Sequence, residues 1–430
     1  MKRKSLSACL LVLSLLLLGT VGIGASGSQE KDVASEKGGP IEITFWSLFT
    51  GGDGEFFDAM VDEFNRTHDD IVMTTDTVKF DNYYTKLTTA LTSQNAPDVV
   101  VIHRSKLLNY VPSGTLYPLD DVLKSVNAPM DDFIPAALEP CTFDGKIYSL
   151  PLDVHALIMY YNKDLFRQAG IAKVPVTYEE FVAAAKKVQD KTGAMGAAID
   201  NTTATYKAYT LTRLFMSFME QQGGSVLTED LSAADFNNEM GEKALQALVD
   251  MVRKYGITES GLDYDSSVAA FKLGKAAIHI NGVWATGSFE KQEGLDFAAV
   301  PLPAMLGKPA AWSGSHTLAI PAKKEMSNEK LAAAVEFMLW MTERGDLWAK
   351  AGHIPIRKSV SDNPDFQSLP HRKDYAAAAA SSFAAPRTVA WDEIYNNLSD
   401  SLELAVASGQ DVKTALAEME KMVNSIIASY

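Results

Sequence analysis

The chain has 430 residues, 47% hydrophobic and 22% charged, enough for two or three domains with large cores. Its 54 acidic residues against 39 basic ones leave a formal net charge of −15. This balance excludes the clustered Lys and Arg footprint of a nucleic-acid binder and suits a neutral ligand.

The chain opens with Lys2-Arg3-Lys4 and an apolar run, Leu10–Leu18, followed by small residues around Gly24-Ala25-Ser26. That is the pattern of a cleaved export signal at 1–25. The run is shorter than the ~20 residues that span a bilayer. A polar, small-residue leader at 26–40 follows, and loss of the signal takes the net charge to −18. Cys9 leaves with the signal. Cys141 then stands alone and reads as a small buried hydrophobe, so no internal disulfide is expected.

Ile41, Ile43 and Phe45 alternate on one face of a strand over Ile41–Leu48. The loop Thr50-Gly51-Gly52-Asp53-Gly54 follows, and without a Gly-Lys-Ser/Thr it is no phosphate loop. Phe57, Met60, Val61 and Phe64 share one helix face. Ile71–Val78 predicts a strand, Tyr83–Ser93 a helix and Val99–Ile102 a short buried strand. This alternation predicts an α/β lobe with helices over a mostly parallel sheet. Asp144-Gly145 is a tight-turn signal, and Pro151 ends a strand begun at Lys146. His155–Tyr161 is a nearly continuous apolar strand. Asp153 and His155 therefore sit where the chain crosses between two strands, either as a solvated loop or as a hinge with ligand-facing side chains. Thr177 with Glu180 forms a capping box for a helix with Phe181, Ala184, Ala185 and Val188 inward. Further helices are expected at Tyr206–Met219, Glu242–Tyr255 and Leu331–Met341, and a helical tail from Asp392 to Ile427. Further strands are expected at Ala276–Asn281, Phe297–Pro301 and Thr317–Ile320.

The run DGKIYSLPLDVHALIMYYNKDLF (Asp144–Phe166) resembles the hinge-and-strand signature of sugar-type extracellular solute-binding proteins, the maltose-binding-protein superfamily. FWSLFTGGDGEFFDAMVDEFN, APDVVV, VPSGTLYPLDD, VPVTYEEFVAAAKKV, FKLGKAAIHINGVWA and PLPAMLGKPAAWSGSHTLAIPAK fall in the family's order, so the likeness covers nearly the whole mature chain. The resemblance implies a periplasmic-binding-protein-like α/β fold of two lobes around a ligand cleft. It implies an N-terminal lobe of 41–153 and 313–355 and a C-terminal lobe of 154–312 and 356–430. It also implies an exported, monomeric binding component of an ABC importer that serves a membrane permease, takes a neutral mono- or oligosaccharide by hinge closure, and needs no cofactor.

Sugar sites pair flat aromatic faces with fixed hydrogen-bonding groups. By resemblance Trp284, in INGVWA, is a stacking platform, against a plain core role; Trp46 divides evenly between the same two roles. Thr50 and Asp53 stand in the glycine-rich loop, where Asp53 either accepts from hydroxyls or is an ordinary turn residue. His103 and Arg104 follow a strand at its carboxyl end, the usual ligand edge of α/β sheets. Asp153 and His155 mark the first crossing; Trp312, Ser313, Ser315 and His316 mark the second. Trp391 and Arg357 are weaker candidates. His155 stands where the maltose-binding protein carries a carboxylate, which argues against carrying over that protein's specificity.

Other readings are an exported carbohydrate-active enzyme, a binder of a non-sugar solute and an adhesive protein. No G-x-S-x-G or H-E-x-x-H and no repeat appears. Tyr83-Tyr84 and Tyr160-Tyr161 resemble the paired tyrosines of iron-binding relatives, but the seven histidines show no close spacing, so no metal cluster is expected.

Overall fold

Two sheets organise the chain, each sandwiched by helices. The computed structural model describes residues 39–203, 209–323 and 326–430, so the export signal read at 1–25 and nearly all of the leader lie outside the described residues. In chain order the strands are β1 (Ile41–Ser47), β2 (Ile71–Thr77), β3 (Val99–His103), β4 (Thr142–Phe143), β5 (Lys146–Ile147), β6 (Ser149–Pro151) and β7 (His155–Asn162). They continue with β8 (Met195–Ala198), β9 (Ala276–Gly282), β10 (Phe297–Pro301), β11 (Ala311–Gly314), β12 (His316–Ala319) and β13 (Ser382–Ala384).

The first sheet runs β2-β1-β3-β12-β6, with β2, β1 and β3 parallel and β12 antiparallel to both its neighbours. The second runs β13-β11-β7-β9-β8, with β10 also on β7. Only its β8–β9 and β11–β13 pairs are parallel. The expected parallel core therefore holds for β1 to β3, while the second sheet is mixed. The result is the two-lobed α/β fold of periplasmic binding proteins.

Local sequence explains the elements. Helix Gly54–Thr67 buries Phe57, Met60, Val61 and Phe64 against Phe45 and Phe337 of the first lobe. Helix Tyr178–Thr192 carries the reciprocal Thr177–Glu180 capping box and ends at Gly193, whose φ of 74° suits a left-handed cap. Asp144 and Gly145, both at positive φ, turn β4 into β5. The C-terminal helices Trp391–Ser408 and Val412–Ile427 bury Ile394, Leu398, Leu402 and Met419 in the second lobe's core.

Three chain segments meet between the lobes. Leu152 to Val154 joins β6 to β7, and Ser315 joins β11 to β12. A third segment, near the lobe change expected at 355/356, runs beside the first: Val154 and Ile354 exchange two backbone hydrogen bonds of 2.9 and 3.0 Å. The second crossing comes later than the expected change at 312/313, because Ser313 and Gly314 still pair with Ala156 and His155 of the second lobe. Likewise Arg357 bridges Phe133, so the chain still serves the first lobe past 355. Among the described residues no helix is long and apolar enough to cross a membrane.

Candidate functional site

The strand ends fix the site. The turn after β1 brings Phe49, Thr50 and Asp53 to the edge of the first lobe, and the end of β3 brings His103. From the other lobe come His155 at the start of β7, Trp284 just past β9, Arg213 from helix Tyr209–Gln221, and Tyr264 and Asp265 from helix Tyr264–Lys272. His316, at the start of β12, completes the lining. The enclosed space is about 130 Å³.

Trp284 is partly buried, and its indole N–H donates to the Tyr264 hydroxyl at 2.7 Å. The ring folds back over Gly282, where a Cβ would lie 1.8 Å from it. Gly282 has an ordinary φ of −78°, so the glycine is needed for space rather than for backbone freedom.

A buried carboxylate sets the protonation of the imidazoles. Asp153 is fully buried and accepts from His155 Nδ1 (3.0 Å), His316 N (3.0 Å), His316 Nδ1 (2.7 Å) and Trp348 Nε1 (2.8 Å). Four donors fill the roughly four lone-pair directions of a carboxylate. His353, fully enclosed and stacked on Trp348, lies 3.0 Å from Asp153 and 3.5 Å from Asp53. Neither ring nitrogen reaches hydrogen-bond geometry, so both contacts are ion pairs. Burial opposes a charge on His353, but Asp153 and then Asp53 outweigh it and raise its pKa to about 9. Burial also opposes ionisation of Asp153, yet His316, His353 and His155 hold its carboxyl well below the usual range. Burial and the neighbouring His316 lower His155 to about 3. A neutral His155 that donates through Nδ1 must offer Nε2 as an acceptor. That nitrogen faces Gly314, where a Cβ would stand 2.3 Å away.

His103 takes the complementary tautomer. The Tyr84 hydroxyl accepts from the His103 backbone N–H at 3.0 Å and lies 2.5 Å from His103 Nδ1. The tautomer that gives the Tyr84 proton an acceptor here points that proton at Nδ1 and leaves Nε2–H as the free donor. Burial, then His316 and His155, hold His103 well below its ordinary pKa and so neutral. One cavity thus holds an imidazole donor, an imidazole acceptor and a flat indole. A hydroxyl group, donor and acceptor at once, matches this set.

A second cavity of about 330 Å³ adjoins the first through His103. Arg104, Trp312, Ser313 and Ser315 line it, with Glu139 and Arg387. Of the residues singled out in the sequence, Thr50, Asp53, His103, His155, Trp284 and His316 reach the first cavity, and Arg104, Trp312, Ser313 and Ser315 reach the second. Asp153 reaches neither, because its oxygens are consumed by the protein. Trp46 is on the opposite strand face from Phe45, under the Lys86 ammonium at 4.0 Å, in a groove away from both cavities. Trp391 is core, and Arg357 is buried against Thr342, Leu339 and Phe133.

The expectation that the histidines would not cluster is corrected. Asp153, His155, His316 and His353 bring their ligand atoms within 4.8 Å of one another, the set that could hold a metal ion among the described residues. Hydrogen bonds already account for the carboxylate's lone pairs. Three of the four paired tyrosines are spoken for: Tyr83 donates to Val101 O, Tyr84 bonds His103 and Tyr160 donates to Gly282 O, while the Tyr161 ring packs on Phe166. Phe49, Phe80, Tyr264, Asp265 and Arg213 were missed; Arg213 had a signal, as the only basic residue of an apolar helix.

The family described as bacterial extracellular solute-binding protein matches residues 59–374. The arabinooligosaccharide-binding protein of Bacillus subtilis is 28% identical over 395 residues, 86% of this chain and 85% of the relative. The structure of the cyclic alpha-maltosyl-1,6-maltose binding protein from Arthrobacter globiformis superposes with a TM-score of 0.73 at 27% identity, over 91% of this chain and all of that one. The GacH receptor of Streptomyces glaucescens, solved unliganded and with acarbose, shares the fold with a TM-score of 0.79 at 23% identity, over 91% and 99%. Its sequence and its two-lobed fold together place this chain in the bacterial extracellular solute-binding protein family, as a binding protein rather than an enzyme.

Proposed function

We propose that this chain is the exported binding component of an ABC importer and takes an oligosaccharide between its lobes. The observation that carries the reading is the first cavity, where Trp284 offers a flat face and His103 and His155 offer a donor and an acceptor. A pyranose ring presents an apolar C–H face and hydroxyl edges, which suit both. The relatives named for arabinooligosaccharides and a cyclic maltosyl-maltose support an oligosaccharide. The cavity of about 130 Å³ is smaller than the roughly 300–1,000 Å³ typical of ligand sites, so several rings require the adjoining space or a wider cleft.

Closure about the three interlobe segments is the mechanism in this reading. Contacts from both lobes favour the closed state, which a membrane permease then recognises. The test is a thermal-shift panel of neutral and acidic di- to tetrasaccharides, with small-angle scattering on any binder. At a hundredfold excess over Kd a binder stabilises the fold by about 2.7 kcal/mol. The radius of gyration falls on binding. A panel without a single shift contradicts the sugar reading, and an unchanged radius with a confirmed binder contradicts closure.

A further inference from the structure

The second cavity holds a charge without a partner. Arg104 is half-buried, and its guanidinium makes no hydrogen bond and no ion pair among the described residues. Three other arginines differ: Arg372 binds Ala349 O, Lys350 O and Glu290, Arg357 binds Thr342 and Leu339 O, and Arg344 binds Asp346; half-buried Arg213 lies over the Trp284 and Trp312 rings. Five N–H donors in a planar fork are costly to withdraw from water unless an acceptor meets them. Burial holds the Arg104 pKa below its ordinary value, in keeping with that cost.

The neighbours do not neutralise it. Arg387 reaches into the same cavity, with Nη1 3.6 Å from Glu139 and Nη2 3.5 Å from Pro140 O. Glu139 is the cavity's one carboxylate among the described lining residues, and it is 75% exposed. Two guanidiniums against one carboxylate leave a net positive charge, in a chain whose overall charge is strongly negative. The Trp312 indole forms part of the wall, and its N–H has no acceptor among the described residues. The space of about 330 Å³ lies within the range of ligand sites and shares His103 as a wall with the first cavity.

We propose that this second cavity is an oxyanion subsite, in which Arg104, assisted by Arg387, takes the carboxylate or phosphate of an acidic sugar unit whose neighbouring ring occupies the first cavity. The fork of a guanidinium matches either group bidentately. The inference rests on the reading that the first cavity takes a sugar, and it replaces the neutral-ligand expectation with a ligand carrying at least one acidic group.

The test is calorimetric titration at fixed ionic strength with a matched pair, digalacturonate and galactobiose, and with galactose 1-phosphate against galactose. Wild type, Arg104→Gln and Arg387→Gln are compared. Wild type is expected to prefer an acid to its neutral partner at least tenfold. Arg104→Gln brings that ratio close to one, and Arg387→Gln lowers it less. The pair showing the preference says whether carboxylate or phosphate is the natural group. Melting curves give an independent readout: losing an unpaired cation leaves the melting temperature of unliganded Arg104→Gln equal to wild type or above it, whereas a structural arginine would lower it. Equal affinities within both pairs in wild type, or an acid preference that survives in Arg104→Gln, would overturn the subsite. The mixed saccharide panel and Trp284→Ala test the sugar reading separately, so the two failures are distinguishable.

Discussion

Two charges near the cavities, one buried and one half-buried, show opposite designs. Asp153, under the first cavity, has every lone-pair direction met by protein donors, with His353 as a further cation beside it. Arg104, in the second cavity, has none of its donors met. The difference separates a group that builds the site from a group that awaits something. A satisfied carboxylate at the meeting point of three interlobe segments fixes imidazole tautomers in advance, so a ligand finds its partners already oriented. An unsatisfied guanidinium does nothing for the empty protein and gains its acceptor only from a ligand.

Substitutions at the two ends should therefore diverge. The largest expected effect is at the hub. Asp153→Asn leaves the His353 imidazolium buried without its main counter-charge and turns an acceptor toward N–H donors, at a cost of about 3–5 kcal/mol in urea unfolding. A loss below about 1 kcal/mol would mean that the hub is not the anchor described.

The pH dependence comes next. The folded pKa of His353, about 9, lies above its unfolded value of roughly 6.5. Its contribution is thus full below pH ~6.5 and is lost as pH rises through 9, on the order of 3 kcal/mol in all. His155 and His279 run the other way, with folded values of about 3 and about 4, both lowered first by burial. They favour the fold above pH ~6.5 and cost stability as pH falls below it. Urea midpoints measured from pH 5 to 9 should peak near pH 6.5, and His353→Gln should flatten the alkaline side. An alkaline slope unchanged in that variant would remove His353 from the account.

Gly282→Ala tests space alone, since alanine accepts the backbone there. Its Cβ would meet the Trp284 ring at 1.8 Å, so the indole must move. Overpacking of about 1–3 kcal/mol and weaker sugar binding are expected together; full binding would mean that the indole position is immaterial. The smallest effect belongs to Arg104→Gln in the unliganded protein, within about 0.5 kcal/mol of wild type. A loss like that of Asp153→Asn would erase the contrast between the two charges.

The sequence made the lobes legible because their signals are local. The Thr177–Glu180 capping box, the Asp144-Gly145 turn and the spacing of Phe57, Met60, Val61 and Phe64 each act within a few residues. Trp284 was legible as a cavity residue because it follows a buried strand and a glycine. The histidine cluster was not, since His103, His155, His316 and His353 come from four distant segments: the sheet order brings the first three together and the Val154–Ile354 bridge brings in His353. Strand alternation explains Trp46: with Phe45 in the core, the next side chain must point to the other face. Asp153 was found in the right place, but its burial depends on donors from His316 and Trp348, far along the chain.

The central claim is that Trp284 and the imidazoles around it hold a sugar between the lobes. The direct measurement is calorimetric titration of a stabilising saccharide into wild type and Trp284→Ala, with a melting curve of each. A stacking platform predicts a loss of about 2–4 kcal/mol in binding with a nearly unchanged melting temperature. A Trp284→Ala protein that melts far lower, by the about 3–5 kcal/mol of a lost core aromatic, yet binds the saccharide as wild type does when folded, would contradict it.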